Sequence, residues 1–202
     1  MHRTDLSADD DALPVMVPRN DKVLVRTSPA RVQRLRGHLA SVLVSTKDDE
    51  AVSPLRPEPA GFAAQVTRTA CSLCEGWCCR NGEDDAFLDE PTMARVCGAR
   101  PEIDTDAVLR LYVERVPAVG YQGSCIFHGK QGCTLDRSLR SDVCNAYFCG
   151  GLHSYLKSGD TAAPAVIIAG EGKRMRTSPI LKPDVPGPKR QRISLGRAGK
   201  FG

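Results

Sequence analysis

The stretch that decides the fold is the run Cys71-Ser72-Leu73-Cys74-Glu75-Gly76-Trp77-Cys78-Cys79. Its spacing is C-x2-C-x3-C-C, and it holds four of the nine cysteines in a chain of 202 residues. Four more follow downstream, at Cys125, Cys133, Cys144 and Cys149. Aromatic residues make up only 5% of the chain, so the hydrophobic core has few large anchors. The sequence therefore indicates that thiol chemistry contributes to the fold.

The doublet at the end of this run limits how the thiols can bind a metal. At about 100° per residue, Cys71, Cys74 and Cys78 share one face of a helix, and Cys79 points about 80° away from Cys71. Adjacent cysteines are awkward ligands for one ion, so two sites, or one polynuclear cluster with an extra thiol beside it, explain the doublet better. Thiolates suit zinc and iron–sulfur clusters. The predicted metal ligands are Cys71, Cys74, Cys78, Cys79, Cys125, Cys133, Cys144 and Cys149.

Two other uses of the thiols fit the sequence less well. A disulfide framework conflicts with the odd number of cysteines, with a vicinal pair that bridges only under strain, and with an N-terminus that lacks an apolar signal region. Free thiols are the remaining alternative. No apolar run approaches the ~18–20 residues of a membrane helix. We therefore expect a cytoplasmic protein with reduced thiols and no membrane partner.

The remaining potential ligands have simpler interpretations. Cys97 is expected to be a small buried hydrophobic residue. His128 and His153 are each able to complete a Cys3His zinc site. We expect instead that His128 is a polar turn residue and that His153 is an exposed helix residue.

The pattern along the chain predicts an α+β fold, a small metal-organised domain of short helices with a β-hairpin. A helix from Pro29 to Val44 follows the N-cap Ser28. The hairpin is expected around residues 128–131, and Gly150-Gly151 is interpreted as a helix stop. The predicted organisation is a disordered tail at 1–20, a helix with a Pro-rich linker at 21–60, a cysteine-cluster metal-binding domain at 61–170, and a basic disordered tail at 171–202.

Charge is distributed unevenly. From Gly172 to Gly202, nine basic residues and one acid give the segment +8, so residues 1–171 carry −4 of the total of +4. A basic arm of this kind is able to contact nucleic acid. A solvated tail is the favoured interpretation.

Several residues flanking the cysteines allow two interpretations. Arg140 either offsets thiolate charge, since four thiolates around Zn²⁺ leave a net charge of −2, or forms a surface salt bridge. Trp77 and Tyr147 either shield the centre or, as we expect, pack in the core. The acidic pairs Asp84-Asp85 and Asp89-Glu90 are expected to solvate a loop and to charge the start of a helix at Pro91.

The order of the eight cysteines resembles the YkgJ-like cysteine-cluster family, described as a putative zinc- or iron-chelating domain. The family run is C-x2-C-x2-C-C, and here it is one residue longer. The later segment Cys133 to Cys149 matches the family's arginine at Arg140 and its aromatic residue at Tyr147, with Ser141 in place of proline. The match covers residues 70–151. The resemblance implies cysteines that chelate zinc or iron, and it extends to the cysteine domain of flagellin lysine N-methylases.

Three functions follow as expectations. The first is a metal-binding protein that holds zinc or iron, including an iron–sulfur cluster, through up to eight thiolates. The second is a cluster-dependent protein lysine N-methyltransferase-like enzyme. The third is a nucleic-acid-binding regulator that uses the basic C-terminal tail. No set of catalytic residues is visible, so the sequence favours a protein that is not an enzyme, with a metal ion as its partner.

Overall fold

The computed structural model describes residues 12–46, 54–55, 57–159 and 163–183. Within these residues the fold is α+β, as predicted, with six α-helices and two small sheets. The helices are α1 (Pro29–Ser45), α2 (Gly61–Cys74), α3 (Glu90–Gly98), α4 (Thr105–Val113), α5 (Asp142–Ala146) and α6 (Gly150–Ser158). The strands are β1 (Leu13–Val17), β2 (Leu24–Arg26), β3 (Val119–Tyr121), β4 (His128–Gly129), β5 (Gly132–Cys133), β6 (Ala165–Ala169) and β7 (Arg176–Thr177).

The first sheet joins the two ends of the described chain in the order β1-β6-β7. Strand β1 pairs in parallel with β6, and Leu13 lies opposite Ala165. The prediction of disorder for residues 1–20 is therefore wrong where β1 forms, and residues 1–11 lie outside the described chain. The strand forms because Val15 and Val17 alternate into the interior, and because Pro14 is tolerated in an edge strand.

The C-terminal end of this sheet also corrects the predicted basic tail. Residues Arg176 and Thr177 form β7, antiparallel to β6, so the tail predicted from residue 171 contains a strand. Its residues 184–202, which carry part of the basic charge, lie outside the described chain. No helix in the described ranges is long and apolar enough to cross a membrane.

The second sheet is antiparallel, in the order β2-β3-β4-β5. Its β4–β5 pair is the predicted hairpin, with His128 opposite Cys133 and Gly129 opposite Gly132. The turn is only Lys130-Gln131, so the paired strands begin at His128 rather than in the apolar run before it.

Helix α1 forms as the sequence predicts. The side chain of Ser28 accepts a hydrogen bond from the backbone N–H of Arg31, and Pro29 occupies the first turn. Leu35, Leu39 and Val42 then point inward at helical spacing. This face packs against α3 and α4, so the segment predicted as a helix and linker belongs to the same packed body as the cysteines.

Buried apolar side chains form two clusters rather than one. The first core lies among α1, α3, α4 and the hairpin; it contains Leu35, Leu39, Val42, Ala86, Leu88, Met93, Val96, Val108, Tyr112, Cys125, Ile126, Phe127, Leu135 and Leu139. The second core lies among α2, α6 and the β1–β6 pair; it contains Val15, Val17, Ala63, Val66, Ala70, Cys74, Leu152, Tyr155, Ala165, Ile167 and Ala169. Each core includes a predicted metal-ligating cysteine.

The glycine pair at the start of α6 corrects another prediction. Gly150 and Gly151 open this helix instead of ending the preceding one. Helix α5 has already ended at Ala146, and Cys149 is the N-cap residue of α6. A Cβ atom at Gly151 would lie 1.6 Å from the carbonyl oxygen of Met16, so the missing side chain lets α6 rest on β1.

Candidate functional site

The cysteine run does not continue as one helix. Helix α2 carries Cys71 and Cys74 and ends there, and Glu75 and Gly76 adopt left-handed conformations with φ of 54° and 78°. A short 3₁₀ turn over Trp77–Asn81 then carries Cys78 and Cys79. The reversal at residues 75–76 folds the doublet back beside the end of α2, so the single helical face does not extend to Cys78.

A buried histidine, His128, stabilises this chain reversal at residues 75–76. The side chain of His128 is fully buried, and its Nε2 lies 2.9 Å from the Glu75 carbonyl oxygen. Because that carbonyl only accepts, Nε2 carries the hydrogen of the neutral ring. Nδ1 lies 2.8 Å from Ser124 Oγ, whose single hydrogen is shared between Nδ1 and the Cys79 carbonyl oxygen, 2.9 Å from Oγ.

These contacts correct the sequence interpretation of His128. Burial lowers its pKa. It is a buried residue of strand β4 rather than a polar turn residue, and both ring nitrogens are engaged, so neither is free for a metal. His153, by contrast, is exposed on α6, as expected. No sequence signal linked His128 to Glu75, because the contact joins residues 53 positions apart.

Four cysteines, together with Cys144 from α5, line one cavity at the end of α2. We call Cys71, Cys74, Cys78 and Cys149 the α2 thiol group. All four line a cavity of about 270 Å³, in which α2 faces the start of α6. Burial raises the pKa of Cys74 to about 11, and the charges of Cys78 and Cys149 raise it further.

Cys71 lies at the exposed rim of the same cavity. Its pKa is raised by desolvation first, and then by the charges of Cys78, Cys74 and Cys149. The residues whose charges raise the pKa of Cys71 are thus the other three members of the α2 thiol group.

The remaining four predicted ligands form a second set. We call Cys79, Cys125, Cys133 and Cys144 the hairpin thiol group. They line a small cavity of about 20 Å³ beside the first core. The backbone N–H of Cys125 donates to the Cys79 carbonyl oxygen at 2.9 Å, which fixes the doublet against the hairpin. Burial raises the pKa of Cys125 to about 12, and the charges of Cys133 and Cys144 act in the same direction.

The vicinal cysteines connect the two groups. The thiol of Cys79 hydrogen-bonds that of Cys78 and lowers the pKa of Cys78 to about 7. The same contact raises the pKa of Cys79, with burial and the charges of Cys78, Cys125 and Cys133 adding to the effect. Cys78 lines the α2 cavity, and Cys79 lines the hairpin cavity.

Arg140 lies between the two thiol groups. It lines the α2 cavity, the hairpin cavity and a third, larger cavity. Its Nε donates to the Leu135 carbonyl oxygen at 2.8 Å, and no carboxylate among the described residues pairs with its guanidinium. Its charge opposes the rise in pKa that burial causes at Cys71 and Cys144. The surface salt bridge considered for Arg140 is therefore not formed within the described chain.

A second arginine, which the sequence did not point to, positions this segment. The guanidinium of Arg95 on α3 is buried. It donates to Asp142 Oδ1 at 2.9 Å, to the Ser138 carbonyl oxygen at 2.8 Å and to the Arg140 carbonyl oxygen at 2.6 Å. These hydrogen bonds fix the segment of chain that carries Arg140 and Cys144.

The third cavity, of about 710 Å³, opens beside the doublet. Its walls include Trp77, Phe87, Val143 and Tyr147, and Arg80 stacks over the Trp77 ring at 3.9 Å. Tyr147 is 51% exposed, so the expectation that it packs in the core is wrong. The cysteines that line this third cavity are Cys78, Cys79, Cys133 and Cys144.

The other flanking residues have structural roles. Asp84 pairs with Arg31 at 2.5 Å and with Arg34 at 2.6 Å, which ties the loop to α1. Asp89 caps α3 by accepting from the backbone N–H of Thr92. Cys97 is half-buried against the first core and lines none of the three cavities.

Among the described residues, no group of three or more His, Cys, Asp or Glu side chains is placed so that it could hold a metal ion. The donor set nevertheless fits zinc or iron by its chemistry, because soft thiolates line adjoining cavities in two sets of four. In comparisons with known proteins, no family model, no curated protein and no solved structure matches this chain.

Proposed function

We propose that this chain is a metal-binding protein that holds zinc or iron through its cysteine thiolates. One observation carries the proposal: all eight predicted ligands line three cavities that Arg140 also lines, while the ninth cysteine, Cys97, lines none of them. Eight thiols that gather from separate elements are typical of a soft-metal centre.

The electrostatics of the cluster support the same function. Burial and mutual repulsion raise the pKa of Cys74, Cys125 and Cys144, so charged thiolates are costly there without a cation. A bound divalent ion removes this cost, because it stabilises thiolates directly. Arg140 supplies one fixed positive charge to the same region, and four thiolates around a zinc ion leave an excess of two negative charges to offset.

Loading requires the thiols to turn toward each other. Sulfur atoms bound to zinc at about 2.3 Å stand about 3.8 Å apart in a tetrahedron. Rotation about χ1 moves a cysteine sulfur between staggered positions without moving the backbone. A bound metal would thus join α2, the 3₁₀ turn, the hairpin and the start of α6, and stabilise a fold whose two cores are each small.

Metal analysis of protein purified without air or chelators tests this function. We expect zinc or iron in stoichiometric amounts, with acid-labile sulfide and visible absorption if the centre is an iron–sulfur cluster. The C97S variant is the matched control and should retain the metal. If the wild-type protein contains neither zinc nor iron in a stoichiometric amount, the proposal is refuted.

One observation favours a second candidate, an enzyme of the protein N-methyltransferase type. The cavity of about 710 Å³ has the size of a small-molecule site and has four cysteines in its floor. Calorimetry with S-adenosylmethionine as the probe tests this candidate. Heat of binding that is lost when Trp77 is replaced by alanine would support it, and absence of heat with the wild-type protein would set it aside.

A further inference from the structure

We propose that the eight thiols form two separate four-thiolate sites, Cys71/Cys74/Cys78/Cys149 and Cys79/Cys125/Cys133/Cys144, and that the vicinal cysteines contribute one ligand to each. This inference rests on the proposed metal-binding function and extends it, because it assigns every ligand and the number of ions.

The cavities give the first argument. Of the α2 thiol group, only Cys78 reaches the large third cavity, and none lines the hairpin cavity. Of the hairpin thiol group, only Cys144 also lines the α2 cavity. The two sets therefore share only two cavities: the third cavity, where Cys78 joins Cys79, Cys133 and Cys144, and the α2 cavity, where Cys144 joins the α2 thiol group.

The two hydrophobic cores give an independent argument. Cys125 belongs to the first core, and Cys79 and Cys133 pack against it. Cys74 belongs to the second core, and Cys149 packs against it. Each proposed site is thus anchored in a different core, and the doublet crosses from one to the other.

Cys144 is the one proposed ligand that lines the cavities of both thiol groups, so it must be assigned to one of the two sites. It also lines the third cavity together with Cys79 and Cys133. The α2 thiol group already has four members without it. Cys144 therefore completes the hairpin site, where Cys79, Cys125 and Cys133 supply three ligands.

The placement of Arg140 agrees with two sites. Two zinc–tetrathiolate centres carry about −2 each, and they repel one another across the doublet. The guanidinium of Arg140 lines both cavities and has no carboxylate partner among the described residues. It is a positioning residue, because its charge reduces the repulsion between the sites without ligating either metal.

Titration of the reduced full-length chain with Co²⁺ under argon tests the assignment. We expect two equivalents to bind, with the absorption of tetrahedral Co²⁺–thiolate sites. C149S and C133S should each lose one equivalent and keep the other, the double variant should lose both, and C97S should bind two. A single equivalent in the wild-type protein, or loss of both equivalents in either single variant, would overturn the partition.

A second measurement uses only the wild-type chain, so it does not depend on the folding of any variant. With one equivalent of Co²⁺ or Zn²⁺ bound, alkylation followed by mass spectrometry should show four thiols of one group protected together. Protection of a set that mixes the two groups would overturn the partition. Binding of no metal at all would instead refute the proposed function, and this outcome is distinct from binding with a different partition.

Discussion

Gly151 in α6 faces the carbonyl oxygen of Met16 in β1 so closely that a Cβ atom at position 151 would lie 1.6 Å from that oxygen. This carbonyl oxygen belongs to the backbone of β1, which pairs with β6, so a change of side-chain rotamer cannot move it away. Helix α6, which begins beside Cys149, is thus placed on the first sheet by the absence of one side chain.

The first prediction concerns this contact. The G151A variant should lose about 3 kcal/mol or more of unfolding free energy, because α6 must move away from β1 to relieve the overlap. Its neighbour is a matched control. A Cβ atom at Gly150 meets nothing within 4 Å, so G150A should be neutral or up to about 1 kcal/mol more stable. Denaturant unfolding of both variants measures the difference, and equal stabilities would contradict the packing described here.

The second prediction concerns Gly76, which precedes the vicinal cysteines. A Cβ atom there would lie 2.2 Å from Nε2 of the buried His128, and φ is 78°. We expect G76A to cost about 2–4 kcal/mol, the sum of backbone strain and overpacking. Gly159 separates the two effects, because its φ is 73° but no atom lies within 4 Å of its would-be Cβ. G159A should cost only about 1–2 kcal/mol in the same unfolding assay, and a G76A cost no larger than this would exclude the clash.

The sequence predicts elements whose signals are local. Helix α1 is recognised because Ser28 caps it, Pro29 opens it and its apolar residues recur at helical spacing. The hairpin is found from a similarly local signal. Strand β1 is missed because its alternation spans only Leu13–Val17 and includes a proline, and because its pairing partner lies about 150 residues away along the chain.

The candidate site shows the same division between features that local sequence patterns predict and features that depend on contacts between distant residues. The spacing of the cysteines predicts the eight ligand candidates, and the doublet points to two sites. The assignment of Cys149 to the α2 thiol group requires the path of the chain through α5 and α6, which no local pattern encodes. His128 and Arg95 are missed because each acts through contacts with backbone carbonyls more than 40 residues away.

The third prediction concerns pH. Burial, with Lys22 nearby, lowers the pKa of His128 in the folded state, and the Tyr121 ring covers it at 4.4 Å. Below the ordinary histidine pKa of about 6.5, His128 therefore binds a proton more readily in the unfolded chain than in the folded chain. Stability due to this residue is present above that pH and is lost as pH falls, with a slope of at most about 1.4 kcal/mol per pH unit.

Unfolding free energies between pH 7.5 and 5.5, compared for wild type and H128Q, measure this contribution. The slope should be shallower in H128Q, whatever its absolute stability, because glutamine does not titrate. The exposed His153 provides the control, and H153Q should retain the wild-type slope. Parallel curves for wild type and H128Q would show that folding does not change the pKa of His128.

The fourth prediction concerns Arg95, whose guanidinium joins α3 to the chain around Arg140. R95M removes the donors to Asp142 and to two backbone carbonyl oxygens, and should cost about 2–4 kcal/mol of unfolding free energy. R95K should fall between wild type and R95M, since lysine keeps the charge but not the fork of donors. R110M is the control, because Arg110 lies exposed on α4 and should change stability by less than about 0.5 kcal/mol.

The same variant has a local consequence that separates positioning from general stability. Arg95 holds Asp142 at the start of α5, and Cys144 is carried by that helix. Loss of the arginine should therefore speed alkylation of Cys144 more than that of Cys74, which belongs to the second core. Mass spectrometry of the metal-free protein after brief exposure to iodoacetamide, under conditions where R95M remains folded, measures both rates. Equal acceleration at the two cysteines would mean that Arg95 stabilises the whole molecule and does not specifically position α5.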